Sequence, residues 1–198
     1  MTVTNYNESI LWSSFIEGNQ DSFSKLYKSI YNKLYSYGRS LGMTDEQTRD
    51  IIQDLFVKLY TKPRLIKDAS TIRSFLFISV KNAFINYINF KKKHVNYEHV
   101  DNFELSYYVE NTKLEDEEDI KRIKDKVDEI ISCLTPRQKE IIFLRFLQQM
   151  EYDEIARIMD MSEQAARNLT YRAMEKARKN NADFTFFLIV MFLLSKVN

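Results

Sequence analysis

Residues 152–179 read YDEIARIMDMSEQAARNLTYRAMEKARK, and the fold class turns on this stretch. Ile155, Ala156 and Met159 recur at helical spacing, which predicts a short first helix with one apolar side. Asp160-Met161-Ser162 then interrupts the pattern. Asp tolerates the left-handed backbone that a tight turn needs, and Ser162 is a good N-cap for a second helix. On a wheel of that second helix Ala166, Leu169, Ala173 and Ala177 share one face, while Gln164, Arg167, Asn168, Tyr171, Glu175 and Arg178 share the other. The small inner face predicts two helices in close approach, a helix-turn-helix. Gln, Arg and Asn can each make two-pronged bonds to base edges, but an ordinary solvated face has a similar composition. The segment alone leaves those two readings open.

Outward from this motif the chain keeps its helical periodicity. Thr135-Pro136-Arg137-Gln138 combines a capping box with Pro at the first helical position and opens a helix carrying Ile141 to Leu144. A helix from about Ile120 to Leu134 precedes it. In the first half, Leu11, Trp12 and Phe15, with Ile10, mark a short helix ending near Gly18. A longer one follows from about Asp21 to Gly38, with Phe23, Leu26, Tyr27, Ile30, Tyr31 and Leu34 on its apolar side. Thr44-x-x-Gln47 caps a third, whose stripe is Ile51, Ile52, Leu55, Phe56 and Leu59 and which stops before Pro63. A fourth is expected from about Ser70 to Lys92, with Ile72, Phe75, Leu76, Ser79, Ala83, Phe84 and Tyr87 inward.

Composition agrees with an all-α chain. The 198 residues include 3 Gly and 2 Pro, too few for the many tight turns of a sandwich or barrel, or for a glycine-rich phosphate loop. The net charge of +1 excludes a uniformly basic or acidic protein. One cysteine, Cys133, excludes an internal disulfide. With His94 and His99 as the only histidines, no metal or cofactor is expected. No secretory pattern opens the chain and no apolar run reaches the ~20 residues that span a bilayer, so a cytoplasmic setting without stable membrane insertion is expected.

Between His94 and Asp119 the periodicity fades and acids gather, with Lys113 the only Lys or Arg. The expected organisation is therefore a first helical domain over 1–94, an acidic linker over 95–119, a helix-turn-helix domain over 120–181 and an apolar tail over 182–198. Within the tail, ten of the eleven residues from Phe184 to Leu194 are apolar, Thr185 being the exception. As a helix it would be apolar all round, and such helices are buried. Packing back on the second domain is the expectation, with masking of a binding surface as the functional variant. Shallow membrane association is disfavoured by the lack of a basic face.

The fourth helix has a second periodicity. Asn82, Asn86, Asn89 and Lys93 recur at i, i+4, i+7 and i+11, although Asn is a poor helix former. Lys81 and Lys91 to Lys93 add positive charge, and Phe90 interleaves. Cations for phosphates, amides for base edges and rings for stacking suit a nucleic-acid strand. A solvated, Asn-biased face fits the same residues.

Taken together, the motifs resemble the extracytoplasmic-function class of bacterial RNA polymerase sigma factors over roughly Ile10 to Lys179. In the first half the similarity lies in Asp21-Ser22-Phe23, Leu26-Tyr27 and Leu34-Tyr35. It continues in the run Asp50-Ile51-Ile52-Gln53-Asp54-Leu55-Phe56-Val57-Lys58-Leu59-Tyr60, then in Ile72-Arg73-Ser74-Phe75-Leu76-Phe77 with Lys81-Asn82. In the second half it lies in Leu134-Thr135-Pro136-Arg137-Gln138, Phe143-Leu144-Arg145-Phe146, Tyr152-Asp153-Glu154-Ile155-Ala156, Ser162 and Tyr171-Arg172-Ala173. Phe75 stands where Trp is usual, Asp160 replaces the usual turn Gly, and Leu169 sits where a basic residue is common.

The resemblance implies a promoter-specificity subunit rather than an enzyme, with core RNA polymerase and promoter DNA as partners and the anti-sigma factor that the family usually has. It implies core docking by Asp50, Gln53 and Asp54. It assigns minus-ten contact and melting to Arg73, Lys81, Asn82, Asn86, Asn89, Lys91, Lys92 and Lys93, while the apolar stripe places Phe75 in the core. Upstream-element contact falls to Ser162, Gln164, Arg167, Asn168, Tyr171 and Arg172. The acidic linker would run through the polymerase near the RNA path. The rivals are a conventional helix-turn-helix regulator, an enzyme and a protein-only interaction module. The regulator would not copurify with core polymerase in place of another sigma subunit. The enzyme lacks any carboxylate pair, His/Cys cluster or nucleophile elbow.

Overall fold

The computed structural model describes residues 7–91, 103–104 and 117–180, without the side chains of 91, 117–120, 122–124 and 180. Among the described residues there are eight α-helices and no strand: α1 (Glu8–Ile16), α2 (Gln20–Ser40), α3 (Asp45–Thr61), α4 (Ile72–Lys91), α5 (Glu117–Ile131), α6 (Pro136–Ile142), α7 (Tyr152–Met159) and α8 (Glu163–Asn180). The all-α expectation holds. The chain divides into two compact units, Met1–Gly38 with Met43–Asn96, and Arg39–Gly42 with Tyr97–Asn198. The apolar tail, and most of the acidic segment, lie outside the described residues.

The first unit is held by aromatic side chains. Phe15 of α1 lies 4.7 Å from Phe23 of α2, ring centre to ring centre, and Phe23 meets Phe56 of α3 edge-on at 5.7 Å. Tyr27 adds a second edge-on contact to Phe56 at 4.8 Å. Below this layer Trp12, Leu26, Ile30, Leu34, Ile52 and Leu59 are fully buried, as their helical spacing requires. Tyr37, which the sequence pattern did not single out, is also buried and lies 5.0 Å from Phe77 of α4. Gly38 has a packing reason. A Cβ there would meet Thr48 Cγ2 at 2.7 Å and Met43 Cε at 3.0 Å, so α2 and α3 approach at a residue without a side chain.

The capping boxes form as read. Thr44 accepts from the Gln47 backbone N–H while the Gln47 side chain accepts from Thr44 N–H, and Thr135 and Gln138 repeat the arrangement at α6. Thr135→Ala removes one of these bonds at an exposed site. It should cost about 1 kcal/mol, read as a small fall in the melting temperature of the second unit. An unchanged melting temperature would show that the cap is energetically idle.

Three details differ from expectation. A short 3₁₀ turn, Ala69–Thr71, precedes α4, so the α-helix proper begins at Ile72. On α4, Ile72, Leu76, Phe77, Val80 and Phe84 are buried, whereas Phe75, Ser79 and Ala83 are only half-buried and Tyr87 is exposed. Ile10 on α1 is exposed. An apolar residue records what it can bury, while the neighbouring helices decide which arc is covered.

In the second unit α6 runs into a π-helical turn, Phe143–Leu147, whose end is marked by the Gln148 N–H donating to Phe143 O at 3.0 Å. The wider turn leaves Phe143, Leu144 and Leu147 all buried. Phe103, from the acidic segment, is fully buried as well and meets Phe143 edge-on at 5.5 Å. α8 packs against α5, α6 and α7.

Candidate nucleic-acid interface

The turn between α7 and α8 is built as its sequence suggested. Asp160 takes φ 49° and ψ 64°, the left-handed conformation, and its N–H closes on Ala156 O. The next N–H, of Met161, donates to the same carbonyl at 3.0 Å. Ser162 caps α8, with Oγ accepting from the Ala165 N–H at 3.2 Å. From the α6 side, Arg137 Nη2 donates to Met159 O at 3.1 Å and satisfies a carbonyl at the end of α7.

α8 buries Ala166, Thr170, Ala173 and Ala177. Leu169, read as inward, is only half-buried, and Thr170 takes the inner position. Thr170 can do so because its hydroxyl donates to Ala166 O at 3.0 Å, which removes the cost of burying it. Opposite this face Gln164, Arg167, Asn168, Tyr171 and Arg172 are all exposed, at i, i+3, i+4, i+7 and i+8. They form one outward strip along the first two and a half turns. The amides are ordered, with Gln164 Nε2 donating to Asn168 Oδ1 at 3.1 Å. Arg172 Nε donates to Asn168 O at 3.3 Å. At the far end Lys179 lies 2.9 Å from Glu175, and that bond holds the Glu175 carboxyl below its ordinary pKa.

The first unit carries two further faces. On α3, Asp50, Gln53 and Asp54 are exposed together, as expected. Val57 lies on the same outward arc and is 56% exposed, an apolar residue set among polar ones. Its signal in the sequence was an aliphatic side chain at the outer phase of an amphipathic helix. On α4, Asn82 and Asn86 are exposed, Asn89 is half-buried, and Phe90 beside them is 87% exposed. Phe75, seven residues before Asn82, shares their arc rather than the core. Arg73 does not join them. Nine residues of helix set it about half a turn away from Asn82, and Lys81 sits about 100° from Asn82. Both are half-buried. The side chain of Lys91, and all of Lys92 and Lys93, lie outside the described residues. No described helix is long and apolar enough to cross a membrane.

Residues 26–94 match the family described as Sigma-70 region 2, and residues 124–176 match that described as Sigma-70, region 4. The ECF RNA polymerase sigma factor SigM of Bacillus subtilis (strain 168) is 23% identical over 157 residues, 79% of this chain and 93% of SigM. The RNA polymerase sigma factor YlaC of the same organism is 24% identical over 164 residues, 82% of this chain and 93% of YlaC. Among solved structures, that of CnrH in complex with the cytosolic domain of CnrY shares the fold. Its TM-score is 0.58 at 19% identity, covering 87% of this chain and 95% of that one.

Proposed function

Since this chain belongs to the extracytoplasmic-function class of RNA polymerase sigma factors, we propose that its two units divide promoter recognition between them, as a non-enzymatic subunit acting in the cytoplasm. The observation that carries this division is the pair of separate outward faces. One is the amide and arginine strip of α8, the other the Asn82–Asn86 arc of α4. α8 enters the major groove of the upstream element with Gln164, Arg167 and Asn168 toward base edges. The α4 arc takes a base drawn from the stack of the minus-ten element, where amides offer both donors and acceptors and Phe90 offers a ring. Asp50, Gln53, Asp54 and Val57 form the docking surface for core polymerase, two carboxylates for arginines around one apolar contact.

An anti-sigma factor is a further proposed partner. Its support is the family and the fold shared with CnrH, which was solved bound to the cytosolic domain of CnrY.

Transcription reconstituted from core polymerase and this chain, with transcript starts mapped by sequencing, tests the whole reading. Starts preceded by a common pair of promoter elements are expected. Absence of chain-dependent starts, together with sequence-specific duplex binding by the chain alone, would favour a conventional helix-turn-helix regulator instead. Asn82→Ala tests the melting arc. It should spare duplex binding and reduce opening by about 5- to 100-fold, the loss of one to a few kcal/mol at an unstacked base. Permanganate reactivity of the melted strand reads this, and normal opening would remove Asn82 from the site.

A further inference from the structure

Arg167 does not project from α8 as a free chain. Its guanidinium carbon lies 4.4 Å from the ring centre of Tyr152, the first residue of α7, and Nη2 lies 3.4 Å from Glu163. The same ring carries a second guanidinium, that of Arg145, at 4.8 Å. Arg145 is in turn fixed by the main chain. Its Nη1 donates to Met150 O at 2.6 Å and to Glu151 Oε2 at 3.2 Å. The ring is thus held between the π-turn and the outward strip of α8. Each arginine has its own carboxylate, which offsets the repulsion of two like charges over one ring.

We infer that Tyr152 is a positioning residue for promoter reading: its ring holds the Arg167 guanidinium in place for the base pair that Arg167 reads. This rests on the proposal that α8 enters the major groove. An arginine loses much rotamer freedom when it makes a two-pronged bond to a base, and a side chain already stacked in place loses less. Glu163 alone does not fix it, because an exposed i,i+4 pair at 3.4 Å is weak. The aromatic face supplies the restraint. Tyr152 need not touch DNA itself; it acts through Arg167.

The test uses holoenzyme assembled from the full chain, with binding measured across duplex promoters substituted one base pair at a time. Arg167→Ala should flatten the preference at one or two base pairs. Tyr152→Leu should weaken the preference at those same base pairs by about 3- to 10-fold and leave the others as they are. Adding Tyr152→Leu to Arg167→Ala should cost nothing more there, since both remove one coupled unit. Tyr152→Phe should behave as wild type, because the ring face is kept. Should Tyr152→Leu melt too low to assay, Tyr152→Gln is read in the same way at this half-buried position. If Arg167→Ala flattens the preference and Tyr152→Leu does not, the positioning role is overturned and the groove reading stands. The positioning role also falls if Tyr152→Phe is as damaging as Tyr152→Leu. If Arg167→Ala lowers affinity evenly across all sequences, Arg167 is a phosphate contact and both readings fall.

Discussion

Val57→Asp should reduce the affinity of this chain for core RNA polymerase by about 30-fold or more, while leaving its thermal melting almost unchanged. The two halves of this expectation have separate causes. Val57 is 56% exposed on the outer arc of α3, so more than half of its surface already faces water in the free protein. Exposed substitutions of this kind stay within about 0.5 kcal/mol of neutral. In the proposed docking surface the same side chain lies among Asp50, Gln53 and Asp54, where a new carboxylate would be desolvated without a partner. Interface anchors are worth about 2 kcal/mol or more, which is about 30-fold in affinity. Gln53→Ala with Asp54→Ala should also weaken docking, through the loss of charged hydrogen bonds instead of apolar contact. Core affinity by fluorescence and melting by circular dichroism measure both. Unchanged affinity in both variants would place the docking surface elsewhere.

The second large effect is expected at Ala173, in the second unit, and acts through packing instead of docking. Ala173 is fully buried on α8, between Ala166 and Ala177, which are buried to the same degree. Three alanines and Thr170 form a small, buried face where α8 packs on α6 and α7. Ala173→Leu adds three carbon atoms to this face. Overpacking of a filled core costs about 1–3 kcal/mol, and small domains have about 5–15 kcal/mol in total. A fall of about 5–20 °C in the melting of the second unit is expected, with loss of upstream duplex binding, because the strip on α8 is aimed by this packing. Lys176→Leu, one turn along but exposed, should do neither. If Ala173→Leu melts like wild type, the helices are less closely packed than their geometry states.

Much of both units was legible because the signals are local. The capping boxes at Thr44 and Thr135, and the left-handed Asp160, depend on residues within a few positions of each other. Short-range hydrogen bonds between side chains and nearby backbone N–H groups specify the boxes, and the tolerance of Asp for the left-handed region permits the turn. The π-turn at Phe143–Leu147 was not legible, since the run Ile141 to Leu144 is apolar in any helical phase. On α4 the ambiguity had the same origin. Phe75 and Tyr87 are apolar enough for a core, yet Leu76, Phe77 and Val80 are the residues that the neighbouring helices cover.

The sequence by itself determined the helical class, the capped starts of α3, α6 and α8, the small inner face of α8 and the amide–arginine strip opposite it. These follow from periodicity and side-chain size, which are properties of one helix at a time. Only the tertiary structure decided that Ile10 and Tyr87 stay exposed while Tyr37 is buried. It alone brought Arg145, Tyr152 and Arg167 into one stack from three different elements. Contacts of that kind depend on how helices are set against each other. No spacing along the chain encodes a distance across it.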